Sequence, residues 1–497
     1  LNDDGVFGTE DDAKIFTVSR DLSATRSSIG SFIVKGQAYG TAGLGDMFGV
    51  VAEQIGKAKV GGRTFAFTKT GNEAFFAAPT LGGLGAENPM FDFTIRELGS
   101  TTPTGTVAAG VDFKLSPDFK TATFNDVDGD IVTVKRTSGN FDLSNFMITP
   151  KASGGGLLTS LTVNPSLDGK PVGLSITAKP GPSGGNGFVN VGEITADQTD
   201  LGIVVIGGEL QDLDTGNSDP VKPGLGSLTV HSLGALAGTA PFGDEINSKH
   251  GIGTITVKTD VRHFHIFANS SDTGNLGSLT VGGSMIVGEV QAAANIGTIK
   301  IGGSFLGGQK IQATKRIGTI SVGGDFNGNV EAFAQGGGSA TGADIVLKSF
   351  TVNGSVEASK ITLGRNNNAD ASIGAITVGR AWIASSVLAG TTAGVDTFIG
   401  TADDAKVTAG GPTDVAARFS SIASITIKGQ ALGSAAAGDS FGIVAEQIGS
   451  AKVGARVFKF DKGERDTADA FAVAPTGPGA GTTPLPFDFY IREVTTP

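Results

Sequence analysis

The sequence predicts an all-β protein: a right-handed parallel β-solenoid with duplicated terminal β units and a small inserted β module. Three observations carry this expectation. A short strand motif recurs at the interval of one coil, the composition is rich in glycine and poor in proline, and the start of the chain is repeated near its end.

The motif reads LGSLTV from Leu225, IGTITV from Ile252, LGSLTVGG from Leu276, IGTIKIGG from Ile296 and IGTISVGG from Ile317. It continues as LKSFTVNG from Leu347, IGAITVGR from Ile373, IASITIKG from Ile422 and IGSAKVGA from Ile448. Starts are separated by 20 to 30 residues except for one gap of 49, which fits two coils with one copy degraded. Periods of this size with alternating β-branched residues belong to solenoids, in which each coil pairs only with its neighbours.

Within a coil, IGTISV is followed by GG, DF, NG and NVEAFA, so two longer strands and one short one are separated by glycine pairs. Glycine suits such corners because the chain turns sharply, often with positive φ, and leaves no room for a side chain. Side chains alternate along a strand. The pairs Ile320–Val322, Ile299–Ile301, Leu279–Val281 and Phe350–Val352 are large and apolar, which places their face inside, with the initial Ile or Leu packed at the corner.

Composition agrees. The 78 glycines among 497 residues are roughly double the usual ~7 %, yet the 18 prolines do not suggest collagen or a Pro-rich disordered tract. Hydrophobic residues at 39 % and charged residues at 17 % describe a chain that buries a core. Helix-period text is almost absent.

The terminal repetition pairs FGTEDDAK (7–14) with IGTADDAK (399–406), and IGSFIVKGQAYG (29–40) with IASITIKGQALG (422–433). It also pairs FGVVAEQIGKAKVGGR (48–63) with FGIVAEQIGSAKVGAR (441–456), and FDFTIREL (91–98) with FDFYIREV (487–494). Identity extends to polar positions such as Glu53/Glu446 and Gln54/Gln447, so either the duplication is recent or both ends present the same surface. The expected organisation is an N-terminal β unit (1–99), an inserted module (100–190), the central solenoid (191–394) and a C-terminal β unit (395–497). In the module, FNDVDGDIVTVKRTSG (124–139) reads as a hairpin around an acidic turn, and GPSGGNG (181–187) as a flexible boundary.

The IGTITVGG coils, the DVDGDIVTVK hairpin and the DGVFGTEDD (4–12) and VDTFIGTADD (395–404) stretches resemble the large Gly-rich β-strand-repeat surface proteins of Planctomycetes and related bacteria. The resemblance covers most of the chain. It implies an exported, surface-exposed protein and transfers no catalytic residue.

Charge and residue inventory narrow the chemistry. A formal net charge of −11 argues against a nucleic-acid partner, which needs a concentrated basic surface, and favours divalent cations as counter-ions. The absence of cysteine excludes disulfides and thiolate chemistry. No apolar run reaches the ~20 residues of a membrane span. No signal-like segment follows Leu1, so any export signal is expected to have been removed.

The candidate metal ligands, with calcium the expected ion, are Asp3, Asp4, Asp11 and Asp12, their partial copy Asp396, Asp403 and Asp404, and the hairpin triplet Asp126, Asp128 and Asp130. Calcium takes six to eight hard oxygens, and aspartates at alternate positions around a glycine turn supply several of them. The triplet has that spacing but lacks the bidentate Glu of an EF-hand, and the same text also makes an ordinary solvated turn. His263 and His265, two residues apart, are expected on one strand face, a minimal imidazole pair for Zn²⁺ or Cu²⁺ that needs a third ligand from a neighbouring coil.

A sugar-cleaving site would need paired carboxylates across a cleft. The nearest sequence pieces, Asp403–Asp404, Lys249–His250–Gly251 and Arg316–Ile317–Gly318, are scattered, and one Trp and two Tyr leave few rings for stacking. The expected role is therefore non-enzymatic. It is a structural subunit of an extracellular surface layer or fibre, self-assembling head-to-tail into a filament or lattice through its terminal units, with cell-envelope polysaccharide as a contact. A β-helical adhesin is the alternative and a polysaccharide-degrading β-helix the third.

Overall fold

The structure is a computed structural model. It describes residues 28–35, 48–52, 54–60, 63–65, 74–76, 93–97, 111–150, 155–166, 169–182, 184–234, 244–270, 273–333, 344–364, 368–407, 418–434, 438–460, 469–473 and 488–494. The chain divides into two compact units, Leu1–Gly105 and Thr106–Pro497. Among the described residues there are strands and one 3₁₀ turn, Leu143–Asn145, but no α-helix.

The second unit is a β-solenoid built mostly of parallel strands. From Ile252 to Ala445 each coil contributes a long strand, a two-residue strand (the single bridge residue Phe326 in one coil) and a third strand of four or five residues. The long strands Leu276–Val281, Ile296–Ile301, Ile317–Val322, Asp344–Val352 and Ala371–Val378 stack in parallel, so that Leu279, Ile299, Ile320, Phe350 and Ile376 stand in one column. All five are buried, as are Leu276, Ile296, Ile317, Leu347 and Ile373 at the motif's first position. The short strands form a second column, Val261, Met285, Phe305, Phe326, Val356, Trp382 and Ala431. The third strands form another, Ile266, Val290, Ile311, Val330, Ile361 and Val387. Identical offsets from coil to coil place like side chains over like, and one apolar interior runs from Ala122 to Ile491.

The glycines at the two kinds of corner do different things. A Cβ on Gly323 would lie 2.0 Å from the Gly302 carbonyl oxygen of the preceding coil, so the GG corner is glycine because the coils approach closely there, not for a positive φ. Left-handed backbone falls at the other corner, after the short strand. It is taken by His263, Val287, Gly307, Ala358 and Ala384, four of which carry a side chain. The expectation that glycine pairs supply positive φ therefore holds at Gly307–Gly308 and fails at the first corner. Stacked neighbours impose the turn on Val287 at φ 53° against its β-branched preference.

The expected limits at 190 and 394 are not breaks in the sheet. The unit opens with antiparallel strands, Lys114–Leu115, Thr121–Asn125, Ile131–Arg136 and Val172–Lys179, and with the pair Phe146–Pro150 and Gly156–Thr162. Gly156–Thr162 and Val172–Lys179 already run parallel to Val189–Asp197 and Leu201–Gly216. The module thus grows directly into the first coils. At the other end Ser421–Ile427 stacks on Ala371–Val378, and Phe441–Ala445 on Ser386–Ala389. The run closes with the antiparallel strands Arg456–Phe458 and Ala470–Ala472.

In the first unit, Ser28–Ile29 and Phe32–Val34 pair in parallel with Gln54–Ile55 and Ala58–Val60, and Phe48–Ala52 with Phe93–Glu97. Arg63–Phe65 and Ala74–Phe76 add antiparallel strands. The corresponding residues of the C-terminal stretch pair in the same way, Ser421 with Gln447, Ile425 with Ala451 and Phe441 with Phe489.

Much of the polar text shared by the two ends is interior in the C-terminal copy. Lys406 and Glu446 form a buried ion pair at 3.4 Å, with side chains 6 % and 2 % exposed. Glu446 also accepts the Ser420 N–H at 2.8 Å, and Glu493 accepts that of Ile448 at 2.6 Å. A polar interior with fixed partners constrains sequence as tightly as a shared surface does.

Candidate metal centre

The hairpin turn Asp126-Val127-Asp128-Gly129-Asp130 joins Thr121–Asn125 to Ile131–Arg136. Asp126 folds it. Its Oδ1 accepts the N–H groups of Asp128 at 3.3 Å, Gly129 at 3.2 Å and Asp130 at 2.8 Å, while its own N–H donates to the Asp130 carbonyl at 2.9 Å. Gly129, at φ 102°, turns the chain where a side chain would be strained.

The loop expected to be a flexible boundary is the other wall of this site. The Asn186 N–H donates to Asp128 Oδ2 at 3.3 Å and that of Gly187 to Asp130 Oδ2 at 2.7 Å. Gly185, at φ 121°, lies so close that a Cβ there would fall 1.8 Å from Asp130 Oδ1. Asp130 is fully buried, and that oxygen has no hydrogen-bond partner.

One oxygen from each of Asp126, Asp128 and Asp130 lies within 4.8 Å of the other two. Oxygens that share a Ca²⁺ at 2.3–2.6 Å are at most about 5 Å apart, so the three carboxylates fit one ion. Burial, and then the neighbouring Asp128, push the Asp126 carboxyl up to about 7. Without a cation the buried Asp126 carboxyl thus holds its proton up to near neutral pH. A divalent ion would compensate the buried Asp126 charge and engage the orphaned Asp130 oxygen. These three residues would hold it, with backbone carbonyls or water completing the shell.

The other expected ligands do not gather in this way. Asp3, Asp4, Asp11 and Asp12 lie outside the described residues. Asp403 Oδ2 accepts the N–H groups of Val395 and Asp396, and its Oδ1 the Thr401 hydroxyl at 2.7 Å. These hydrogen bonds, the Thr401 hydroxyl first, hold its carboxyl down at about 2. Asp396 accepts from Phe398, and buried Asp404 accepts from the Gly400 N–H at 2.6 Å. Here the aspartates fix a loop by accepting its own donors. Among the described residues, only the Asp126 triplet brings three metal-ligating side chains together. His263 and His265 are not on one strand face either: His263 sits at the left-handed corner before Phe264–Ala268, and His265 pairs with Glu289 at 3.3 Å.

A second constellation arises only through register. Glu193 lies beside Asp212, Asp212 beside Glu245, Glu245 beside His265 and His265 beside Glu289, one residue from each successive coil on the outer face of one sheet. Asp214 and Asn247 form the neighbouring column, which continues to Phe267 and Gln291. Burial, and then the charges of Asp214, Glu245 and Glu193, push the Asp212 carboxyl up to about 7, and its Oδ1 is buried without a partner. Each member comes from a different strand with irregular loops between, so no sequence motif announces the row. Only the coil register, extended into the less regular segment 189–248, finds it.

The chain matches no described protein family, no curated protein and no solved structure.

Proposed function

We propose that this chain is a structural subunit of an extracellular surface layer or fibre, a stiff solenoid rod whose entry is locked by calcium. The observation that carries the reading is the unbroken interior from Ala122 to Ile491, stacked residue over residue through coil after coil. Such a core resists bending because every coil is paired along its length with the next. At about 4.8 Å per coil, the ten rungs from Leu201–Gly216 to Ala451–Val453 span roughly 45 Å. Right-handed winding follows from the strong preference of parallel crossovers, and the two end stretches are copies of one module. The acidic outer row from Glu193 to Glu289 supports cation-bridged contact with envelope polysaccharide.

The test is fractionation of the source cells, followed by negative-stain microscopy of the native material with and without chelator. Ordered sheets or fibres that contain this chain and loosen when calcium is removed are the expected result. A freely diffusing intracellular protein would sink the reading. One observation favours a second reading, polysaccharide cleavage: Asp212, able to hold a proton near neutral pH, stands between Glu193 and Glu245 as a general acid stands beside a carboxylate partner. Hydrolysis of a polysaccharide panel that vanishes in Asp212→Asn would favour it.

A further inference from the structure

The outer faces of the solenoid are not alike. On the long strands, the two outward residues that flank the buried fourth position of the motif are Ser or Thr in coil after coil. One column runs in continuous register from Ser227 to Ser424 and the other from Thr229 to Thr426, and only Ala375 in the first and Lys300 in the second lack a hydroxyl. None of these residues is buried. The third strands of the same coils present Glu245, His265 and Glu289 in one outward column and Asn247, Phe267 and Gln291 in the next. Strand propensity favours Thr on both sets of strands equally, so it does not account for one uniformly hydroxylated face.

Few of these hydroxyls are used within the protein. Among the described residues, Ser278 reaches Thr254 at 3.4 Å and Ser349 reaches Thr319 at 3.3 Å, while the column from Thr229 to Thr426 makes no side-chain hydrogen bond. Coils repeat at about 4.8 Å and alternate residues along a strand at about 6.6 Å, so the groups form a grid with two fixed intervals. Water oxygens on the prism face of hexagonal ice repeat at intervals close to the first and slightly longer than the second.

Charge narrows the occupant further. The chain carries a net charge of −11, yet Lys300 is the only charged residue in either column and no aromatic ring stands in them. An ionic polymer finds no row of counter-charges here, and a sugar finds no ring to stack on. The complement of this face is neutral, periodic and hydrogen-bonding throughout.

We infer that the long-strand face of the rod binds ice, its two registered hydroxyl columns matching the water lattice of the crystal surface. A single hydroxyl exchanges one water contact for another and contributes little. Many of them held at fixed intervals by the coil ladder engage together, as linked binding sites do. The inference goes beyond the scaffold reading and requires neither assembly nor calcium.

The test uses the full chain in calcium-free and calcium-containing buffer, with thermal hysteresis and inhibition of ice recrystallisation as readouts. The intact protein should show both. Thr280→Tyr/Ser321→Tyr, which raises two rings out of the second column, should reduce the activity at least tenfold. Gln312→Tyr/Thr362→Tyr, the equivalent change on the third-strand face, should leave it unchanged. Lys300→Thr completes the second column and should raise the activity at least twofold, a gain that misfolding cannot produce. No effect of the folded full chain on ice overturns the inference, and so does equal loss from tyrosines on either face. Retention on microcrystalline cellulose that Thr280→Tyr/Ser321→Tyr abolishes, without any effect on ice, also overturns it and gives the face to a neutral polysaccharide. Each of these results leaves the rod and its calcium dependence to be judged separately by microscopy.

Discussion

Phe326→Ala tests whether the interior columns hold the rod together. Phe326 is fully buried in the short-strand column, its ring stacked on Phe305 at 5.1 Å and edge-on to Phe350 at 5.1 Å. Truncating a buried Phe costs about 3–5 kcal/mol from lost transfer energy and the cavity left behind. Each aromatic pair adds roughly 0.5–1.5 kcal/mol beyond area. Both rings lose their partner here, and stacked backbones cannot close the gap without breaking register, so the upper end, about 4–5 kcal/mol, is expected. That is a large share of the roughly 5–15 kcal/mol that stabilises a typical domain. The loss should be local, because coils interact with nearest neighbours. Urea unfolding followed by Trp382, the only tryptophan, reads the same column two positions further on. The variant should move the midpoint down and open a separate transition for the coils on one side of position 326. A loss below about 1 kcal/mol with a single unchanged transition would refute the stacking account.

The candidate metal centre predicts a pH dependence with a definite sign. Asp126 has a folded pKa near 7 against 3.8 when free, so the folded state holds its proton more tightly. Without calcium, stability contributed there is present below about pH 4 and is lost as pH rises through 7. Millimolar calcium should abolish that loss, and Asp126→Asn should remove both the pH slope and the calcium response in a thermal scan. Gly185→Ala should weaken calcium binding at least tenfold by calorimetry, since its Cβ would occupy the space beside Asp130 Oδ1. Gly169→Ala, also left-handed at φ 64° but facing open space, should cost about 1 kcal/mol and leave binding intact. Lys406→Ala should cost about 3–5 kcal/mol by leaving Glu446 buried without its cation, and Lys406→Met/Glu446→Gln should recover most of it in denaturant titrations.

The interior was legible because it repeats. Ile299, Ile320 and Phe350 could be placed in one column from the motif alone, and the structure stacks and buries all three. The Asp126 hairpin was legible because Asp-x-Asp-Gly-Asp between alternating strands is local text. Contacts between distant segments were not. GPSGGNG reads as a flexible linker by composition, yet its Gly185, Asn186 and Gly187 wall the acidic turn, a role visible only once the chain has returned to the hairpin. Glu446 reads as a surface residue because charged side chains usually are, and here it pairs with Lys406 inside. The corner at Val287 and Ala384 inverts the usual preference for glycine because stacking, not propensity, sets its backbone.

The two ends of the long unit solve one physical problem with different chemistry. A solenoid coil with no neighbour exposes strand edges and half of its apolar column, so the terminal coil must be covered and the cover held in place. At the entry the cover is an antiparallel hairpin. What pins it is the Asp126 turn gripped by the loop that leads from Val172–Lys179 into Val189–Asp197. That grip rests on three carboxylates, so under the proposed calcium binding it should respond to protons and to divalent ions. At the exit the cover is the C-terminal unit, tied down by Lys406–Glu446 and by Glu493 on the Ile448 N–H, which require no ion. Loss of calcium should therefore fray the rod from its entry and leave its exit closed, which gives the subunit a polarity in stability that its repetitive middle lacks.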